Sequence, residues 1–192
     1  MVGGFVVVHL RHFQRLVISC GSGGGVHAFS SPEKGSILTS FQLAETLTSI
    51  CGSVDKFYSS REDYGIYGWN YPEGEGCDLI TKFQAPVTHI LETPDRRRLL
   101  ASSKDFSIKL VDVNSCGQEV FTDHEAPVSS LALTTDGNIF ASSSLDGSVK
   151  LWDMQKTSCL FTWTDILLKK SALSDDVSWS RLSFDASGKV TL

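Results

Sequence analysis

The sequence predicts an all-β protein assembled from four-stranded antiparallel units, and three observations carry the prediction. First, residues 123–153, DHEAPVSSLALTTDGNIFASSSLDGSVKLWD, hold three short β-rich runs separated by two D-G turns, Asp136-Gly137 and Asp146-Gly147. Asp and Gly accept the positive φ that a two-residue hairpin turn requires, so these runs read as consecutive hairpins. Second, the pattern recurs. Asp146 stands six residues before Trp152, Asp105 six before Val111, Asp63 six before Trp69 and Gly23 six before Phe29, so the steps are 63−23 = 40, 105−63 = 42 and 146−105 = 41. Third, no 3.6-residue apolar period accompanies the repeat, which excludes helical repeats of similar length. A repeat of this size with strand periodicity is a blade of a β-propeller.

Divided by 41, the 192 residues make about four and a half four-stranded blades, part of a ring of about seven. The expected blades are approximately 1–30, 36–71, 78–115, 119–156 and 158–192, all in one partial propeller. The strand-like ending Lys189-Val190-Thr191-Leu192 fits a fragment of a longer propeller.

Taken in order, blade one offers Phe5 to Leu10, Leu16 to Cys20 and Val26 to Phe29, with Gly23 where later blades place Asp. Blade two takes Ile37 to Phe41 as its outer strand, Leu47 to Cys51 as its inner one, then Phe57 to Ser60 and Ile66 to Trp69. Blade three takes Leu79 to Phe83, Val87 to Leu91, Leu99 to Ser103 and Ser107 to Val111, with Gln84 in the place of His and Val111 in the place of Trp. Blade four is led in by Glu119 to Thr122 and takes Val128 to Leu133, Ile139 to Ser144 and Ser148 to Trp152. Blade five opens with Cys159 to Trp163, receives an insert at 166–178, and resumes with WSRLSFDASGKV. The insert falls in a loop on one rim, where binding features often lie.

Composition narrows the function. The net charge is −5, which argues against DNA contact by this segment, since a nucleic-acid binder shows a basic patch. Arg96-Arg97-Arg98 and Lys169-Lys170 are the basic runs and the candidate binding loops; as strand-linking turns they read first as solvated faces. Five cysteines (20, 51, 77, 116 and 159) with no C-x-x-C pair fit reduced thiols rather than a zinc site. The apolar run 3–10 is too short to span a bilayer and lacks a signal-peptide pattern.

The candidate chemistry is structural. His124, Asp146 and Trp152, with Ser142 or Ser144, are the candidate polar set, since a buried polar group is costly unless paired and a fully connected network rigidifies its surroundings. The same residue types occur in hydrolase triads, but no nucleophile-elbow motif is present. The carboxylates Glu62-Asp63, Glu73, Glu75 and Asp175-Asp176 sit in turns without sign of convergence. His9, His12, His27 and His89 show no ligand spacing, and GSGGG at 21–25 lacks a Walker lysine. No cofactor, metal or enzymatic activity is expected. Tyr58, Tyr64, Tyr67, Tyr71 and Trp179 near turns are candidate anchors for a protein partner.

The A-P-V-S-S-L run, the S-L-D-G-S-V-K-L-W-D run and SSKDFSIKLVDV ahead of them, in this order and spacing, resemble the N-terminal propeller of the WD-repeat and HMG-box DNA-binding protein family over roughly residues 15–192. The resemblance implies that His124, Ser142, Asp146 and Trp152 are the family's structural tetrad. It also implies a non-enzymatic nuclear (nucleoplasmic) scaffold, a replisome adaptor that couples the replicative helicase to DNA polymerase alpha in replication and cohesion. Trimerisation, on this resemblance, belongs to a C-terminal region outside these residues. The alternative is another WD-repeat adaptor, an ubiquitin-ligase substrate receptor or a signalling scaffold.

Overall fold

A computed structural model describes residues 5–9, 15–20, 25–30, 37–42, 47–52, 56–70, 78–164, 182–184 and 190–191. The described chain is all strand, turn and loop. Its strands are β1 (Phe5–His9), β2 (Arg15–Cys20), β3 (Gly25–Ser30), β4 (Ile37–Gln42), β5 (Leu47–Gly52), β6 (Lys56–Arg61), β7 (Gly65–Asn70), β8 (Asp78–Lys82) and β9 (Val87–Glu92). They continue with β10 (Arg98–Ser103), β11 (Ile108–Asp112), β12 (Gln118–Phe121), β13 (Val128–Leu133), β14 (Ile139–Ser144), β15 (Val149–Asp153), β16 (Ser158–Trp163), β17 (Ser183–Phe184) and β18 (Val190–Thr191). Two compact units divide the chain, residues 1–92 and 93–192.

Strands pair antiparallel with their neighbours in sequence, in sheets ordered β1-β2-β3-β4, β5-β6-β7-β8, β12-β11-β10-β9 and β13-β14-β15-β16, with β17-β18 opening a further one. The sheets are out of phase with the expected blades by one strand. Ile37–Gln42 does not lead a sheet running to residue 71; it closes the first sheet by pairing with β3. Likewise β8 pairs with β7, β12 with β11 and β16 with β15. Turn chemistry explains the grouping. Cys116 and Thr157 take φ of 56° and 50° and fold the third strand back on the fourth as a hairpin. The connections to the next sheet carry Ala85-Pro86 and Ala126-Pro127 instead, and proline removes a ladder N–H.

The middle strands are buried on alternate and intervening positions alike. Leu99 to Ser103 of β10 and Phe140 to Ser144 of β14 are all buried, as are Phe57 to Ser60 of β6. A strand covered on both faces must fill its polar positions with small groups that can be paired, which serine does. Apolar burial does the rest. Within the second unit, Ala132, Ala141, Val149 and Leu182 form one cluster with Leu151, Phe184 and Val190 packed against it.

One device recurs between successive sheets. A β-bulge interrupts β5 between Leu47 and Ser49, and another interrupts β13 between Val128 and Ser130. Each bulge presents a buried serine to a backbone amide in, or just before, the first strand of the next sheet. Ser49 Oγ accepts the Ile90 N–H (3.3 Å) and Ser130 Oγ accepts the Leu182 N–H (3.1 Å). Behind each serine a second hydroxyl pair closes the strand edge, Thr48 Oγ1 to Ser60 Oγ at 2.6 Å and Ser129 Oγ to Ser143 Oγ at 2.8 Å.

The turns carry left-handed residues at repeated positions. Arg96 (φ 59°) and Gly137 (φ 72°) occupy the first turn, and Tyr64 (69°), Phe106 (75°) and Gly147 (83°) the second. Glycine is required at 137 for a second reason: a Cβ there would stand 2.8 Å from Pro94 Cδ. Gly137→Ala is therefore expected to lower stability by about 1–3 kcal/mol in urea unfolding, through strain and the proline clash. Phe106→Gly removes a bulky side chain from the same backbone region and is expected to raise stability by about 1 kcal/mol. A loss of stability in the second variant would show that the Phe106 side chain contributes more in contacts than its backbone costs.

Candidate functional site

The fourth sheet joins four side chains from four places. Ser142 lies on β14, Trp152 on β15, Asp146 in the turn between them, and His124 in the connection that precedes β13. Trp152 Nε1–H donates to Ser142 Oγ at 2.8 Å, Ser142 Oγ lies 2.7 Å from His124 Nε2, and His124 Nδ1 lies 2.8 Å from Asp146 Oδ2. An indole N–H only donates and a carboxylate only accepts, so the protons run one way, from Trp through Ser and His to Asp. His124 is thereby fixed as the neutral ring with its proton on Nδ1.

Burial sets the charges. The His124 side chain is 1% exposed and that of Asp146 13%. Burial is the main cause that holds His124 below its ordinary pKa of 6.5, against the pull of the Asp146 hydrogen bond and charge. Burial also opposes the charge on Asp146, but the Ser148 hydroxyl, His124, and the Ser148 and Glu125 amides outweigh it and bring the carboxyl down from 3.8 to about 2. The geometry is Ser–His–Asp, yet Ser142 is fully buried and already accepts the Trp152 proton, so its oxygen is neither reachable nor free to attack. Its role is to tie strand to strand. The aromatic surround does the same, with Trp152 stacked on Phe140 (5.8 Å) and met edge-on by Phe121 (5.4 Å).

The second sheet builds a different network from the same positions. Trp69 Nε1–H donates to Ser59 Oγ at 2.9 Å, as Trp152 does to Ser142. Asp63 receives the Gly65 N–H on Oδ1 (3.0 Å) and the Tyr67 hydroxyl on Oδ2 (2.6 Å). Tyr67 thus supplies the side-chain proton that His124 supplies to Asp146. Over this pair lies the Arg61 guanidinium, 4.0 Å from the Tyr67 ring centre and 4.9 Å from that of Trp69, a cation–π arrangement. Lys82 Nζ stands 3.8 Å from Asp63.

The third repeat has lost the network as a set. Counting back 41 residues places Ala101 at the position of Ser142, Val111 at that of Trp152 and Phe83 at that of His124. The matching A-P-V runs fix this alignment and correct the placing of Gln84 at the His position: Phe83 is buried and Gln84 exposed. Removing all three polar groups together leaves no orphan, which is why the loss is tolerated. Val111 is fully buried. Asp105 remains, accepting the Ser107 N–H and hydroxyl at 3.0 and 2.5 Å.

Sequence reasoning missed Ser148 and Arg61, and offered Tyr67 as an anchor for a partner, whereas its hydroxyl is bonded to Asp63. The spacing Asp-x-Ser at 105–107 and 146–148 was a signal for the first. Nothing in the repeat pointed to Arg61 or to the bonded role of Tyr67, because the His they replace has no trace in the second blade. Of the candidate anchors, Tyr58 is 3% exposed and belongs to the core, whereas Tyr64 is exposed at its turn; Tyr71 and Trp179 lie outside the described residues. Arg96 and Arg97 are exposed at the β9–β10 turn, and Arg98 begins β10, its N–H donating to Thr93 Oγ1 at 3.1 Å. Lys169, Lys170, the insert 166–178, Gly23, Glu73, Glu75, Asp175 and Asp176 lie outside the described residues. Among the described residues no group of three His, Cys, Asp or Glu side chains could hold a metal, and no helix is long and apolar enough to cross a membrane.

Compared with known proteins, residues 2–192 match the family model of the WDHD1 first WD40 domain. WD repeat and HMG-box DNA-binding protein 1 of Xenopus laevis is 28% identical over 103 residues, a match that spans 54% of this chain and 9% of that protein's length.

The buried network makes stability depend on pH. Unfolded His124 takes a proton near 6.5 and folded His124 only at lower pH, so the stability due to its neutral form is whole above about 6.5 and falls as the medium is acidified through that value. Asp146 adds a second decline between 3.8 and about 2. His124→Phe is expected to be less stable than the native protein at pH 7.5 and to close part of that gap by pH 5. Urea midpoints at the two pH values measure this; an unchanged gap would contradict a buried neutral His124.

Proposed function

The chain belongs to the family of the WDHD1 first WD40 domain, and from that membership we propose that it serves as the recruitment propeller of a replisome adaptor, a non-enzymatic nuclear scaffold that couples the replicative helicase to DNA polymerase alpha. The coarse part of this reading, a WD40 domain that works as a protein-interaction scaffold, follows from the family. The observation that supports the finer part is the extent of the family match, nearly the whole chain rather than the common D-G-S-V-K-L-W stretch alone.

Physical features agree with a scaffold. Polar side chains capable of chemistry are spent on holding strands together, as Ser142 and His124 show. Turn tips and outer strands carry exposed side chains on a stiff sheet framework, which keeps the entropic cost of docking a partner low. The DNA-binding named in the Xenopus protein describes that protein. In this chain the net charge of −5 and the small Arg96-Arg97 tip favour protein partners over a DNA backbone. Trimerisation, on the resemblance to the family, falls to a region other than these residues.

The test is affinity purification of the tagged full-length protein from S-phase chromatin, with and without residues 1–192. The reading expects helicase and polymerase alpha subunits with the intact protein, and weakened recovery of at least one replication-fork component without the propeller. Recovery of ubiquitin-ligase or signalling subunits in their place would overturn it in favour of another WD-repeat adaptor.

A further inference from the structure

Strand β12 is held to the fourth sheet very differently at its two ends. It is a short outer strand, QEVF, and only its last side chain is buried. That side chain, Phe121, meets Phe140 and Trp152 of the fourth sheet edge-on, with ring centres 5.0 and 5.4 Å away. Two residues further on, Asp123 Oδ2 accepts the Lys150 ammonium at 2.8 Å. The Lys150 side chain is 11% exposed, so its charge is largely withdrawn from water and needs that carboxylate. Aromatic packing and a partly buried ion pair pin this end.

The other end is different in kind. Gln118, Glu119 and Val120 are exposed. Thr157, in the turn between β15 and β16, donates its hydroxyl to Glu119 Oε2 at 2.8 Å. Both partners are exposed, so water competes for the bond and its net value is small. Thr157 makes the bond from φ 50°, a left-handed conformation that crowds a β-branched side chain. Cys116 takes the same turn position in the third sheet, at φ 56°, and brings no hydroxyl. A weak bond made from a strained backbone is close to balance between made and broken.

We propose that β12 is a latched strand. Its 121–123 end is fixed to the fourth sheet. Its 118–120 end is closed by the Thr157–Glu119 latch, and opens with the latch while the fourth sheet stays folded. The strand follows directly on the exposed turn 114–117, so the freed end moves with that turn about Phe121. Segments that give way when a partner docks are drawn from the least stable regions of a structure, and this arm is one of them. The proposal stands independently of the replisome reading.

Hydrogen exchange of the full-length protein, followed by mass spectrometry of fragments that cover β12 and β14, tests it. Thr157→Gly removes the hydroxyl and relieves the turn. β12 is then expected to exchange about fivefold faster, while β14 exchanges no faster than in the native protein. Glu119→Ala should give the same pattern. The double variant should be no faster at β12 than either single variant, because both substitutions remove one and the same bond. A fast β12 beside an unchanged β14 separates a latch from a general loss of stability. Native rates at β12 in both single variants would overturn the proposal. So would a speed-up at β14 equal to that at β12, or a double variant whose rate is the product of the two single effects.

Discussion

Everything in this fold depends on pairing polar groups that its architecture forces inside. A middle strand covered on both faces cannot send alternate side chains to water, so β6, β10 and β14 place serines where a half-exposed strand would place charged residues. A buried hydroxyl without a partner costs more than its bond returns. The chain answers with donors drawn from elsewhere: an indole for Ser59 and Ser142, a backbone amide of the next sheet for Ser49 and Ser130. The first two bonds tie neighbouring strands within a sheet, and the last two tie one sheet to the next.

The repeats show how such a network varies. The fourth sheet keeps the full chain from Trp152 to Asp146. The second keeps its two ends, the Trp69–Ser59 bond and Asp63, gives Asp63 the Tyr67 hydroxyl, and lays Arg61 over the Tyr67 and Trp69 rings. The third discards Trp, Ser and His positions together. In each departure from the full chain the carboxylate that remains has found another partner, the Tyr67 hydroxyl for Asp63 and the Ser107 hydroxyl for Asp105, because half a network would leave a polar group unpaired.

Much of this was legible in the sequence, and the limits have physical causes. Strand positions came out within a residue or so because D-G turns and β-rich runs are local signals, as at Asp146-Gly147 between β14 and β15. The assignment of strands to sheets did not, because connections of similar length lead either back along the same sheet or on to the next. The deciding feature, left-handed φ at Cys116 and Thr157, has no glycine to announce it. The same holds for Tyr64 and Phe106, which occupy the turn position that Gly147 marks openly. The network roles of Tyr67 and Arg61 were not legible because they substitute for His by position in space, not by residue type.

For a scaffold, the consequence is a stiff frame on which exposed turns and outer strands are free to differ. The frame's defining element is the one-way proton chain in the fourth sheet, and its most direct test is the protonation state of His124 by nitrogen NMR of the imidazole ring at neutral pH. The account predicts a neutral ring with the proton on Nδ1, pointing at Asp146, and an acceptor Nε2 facing Ser142. A ring protonated on Nε2 alone, or an imidazolium donating to Ser142 through Nε2–H, would contradict it.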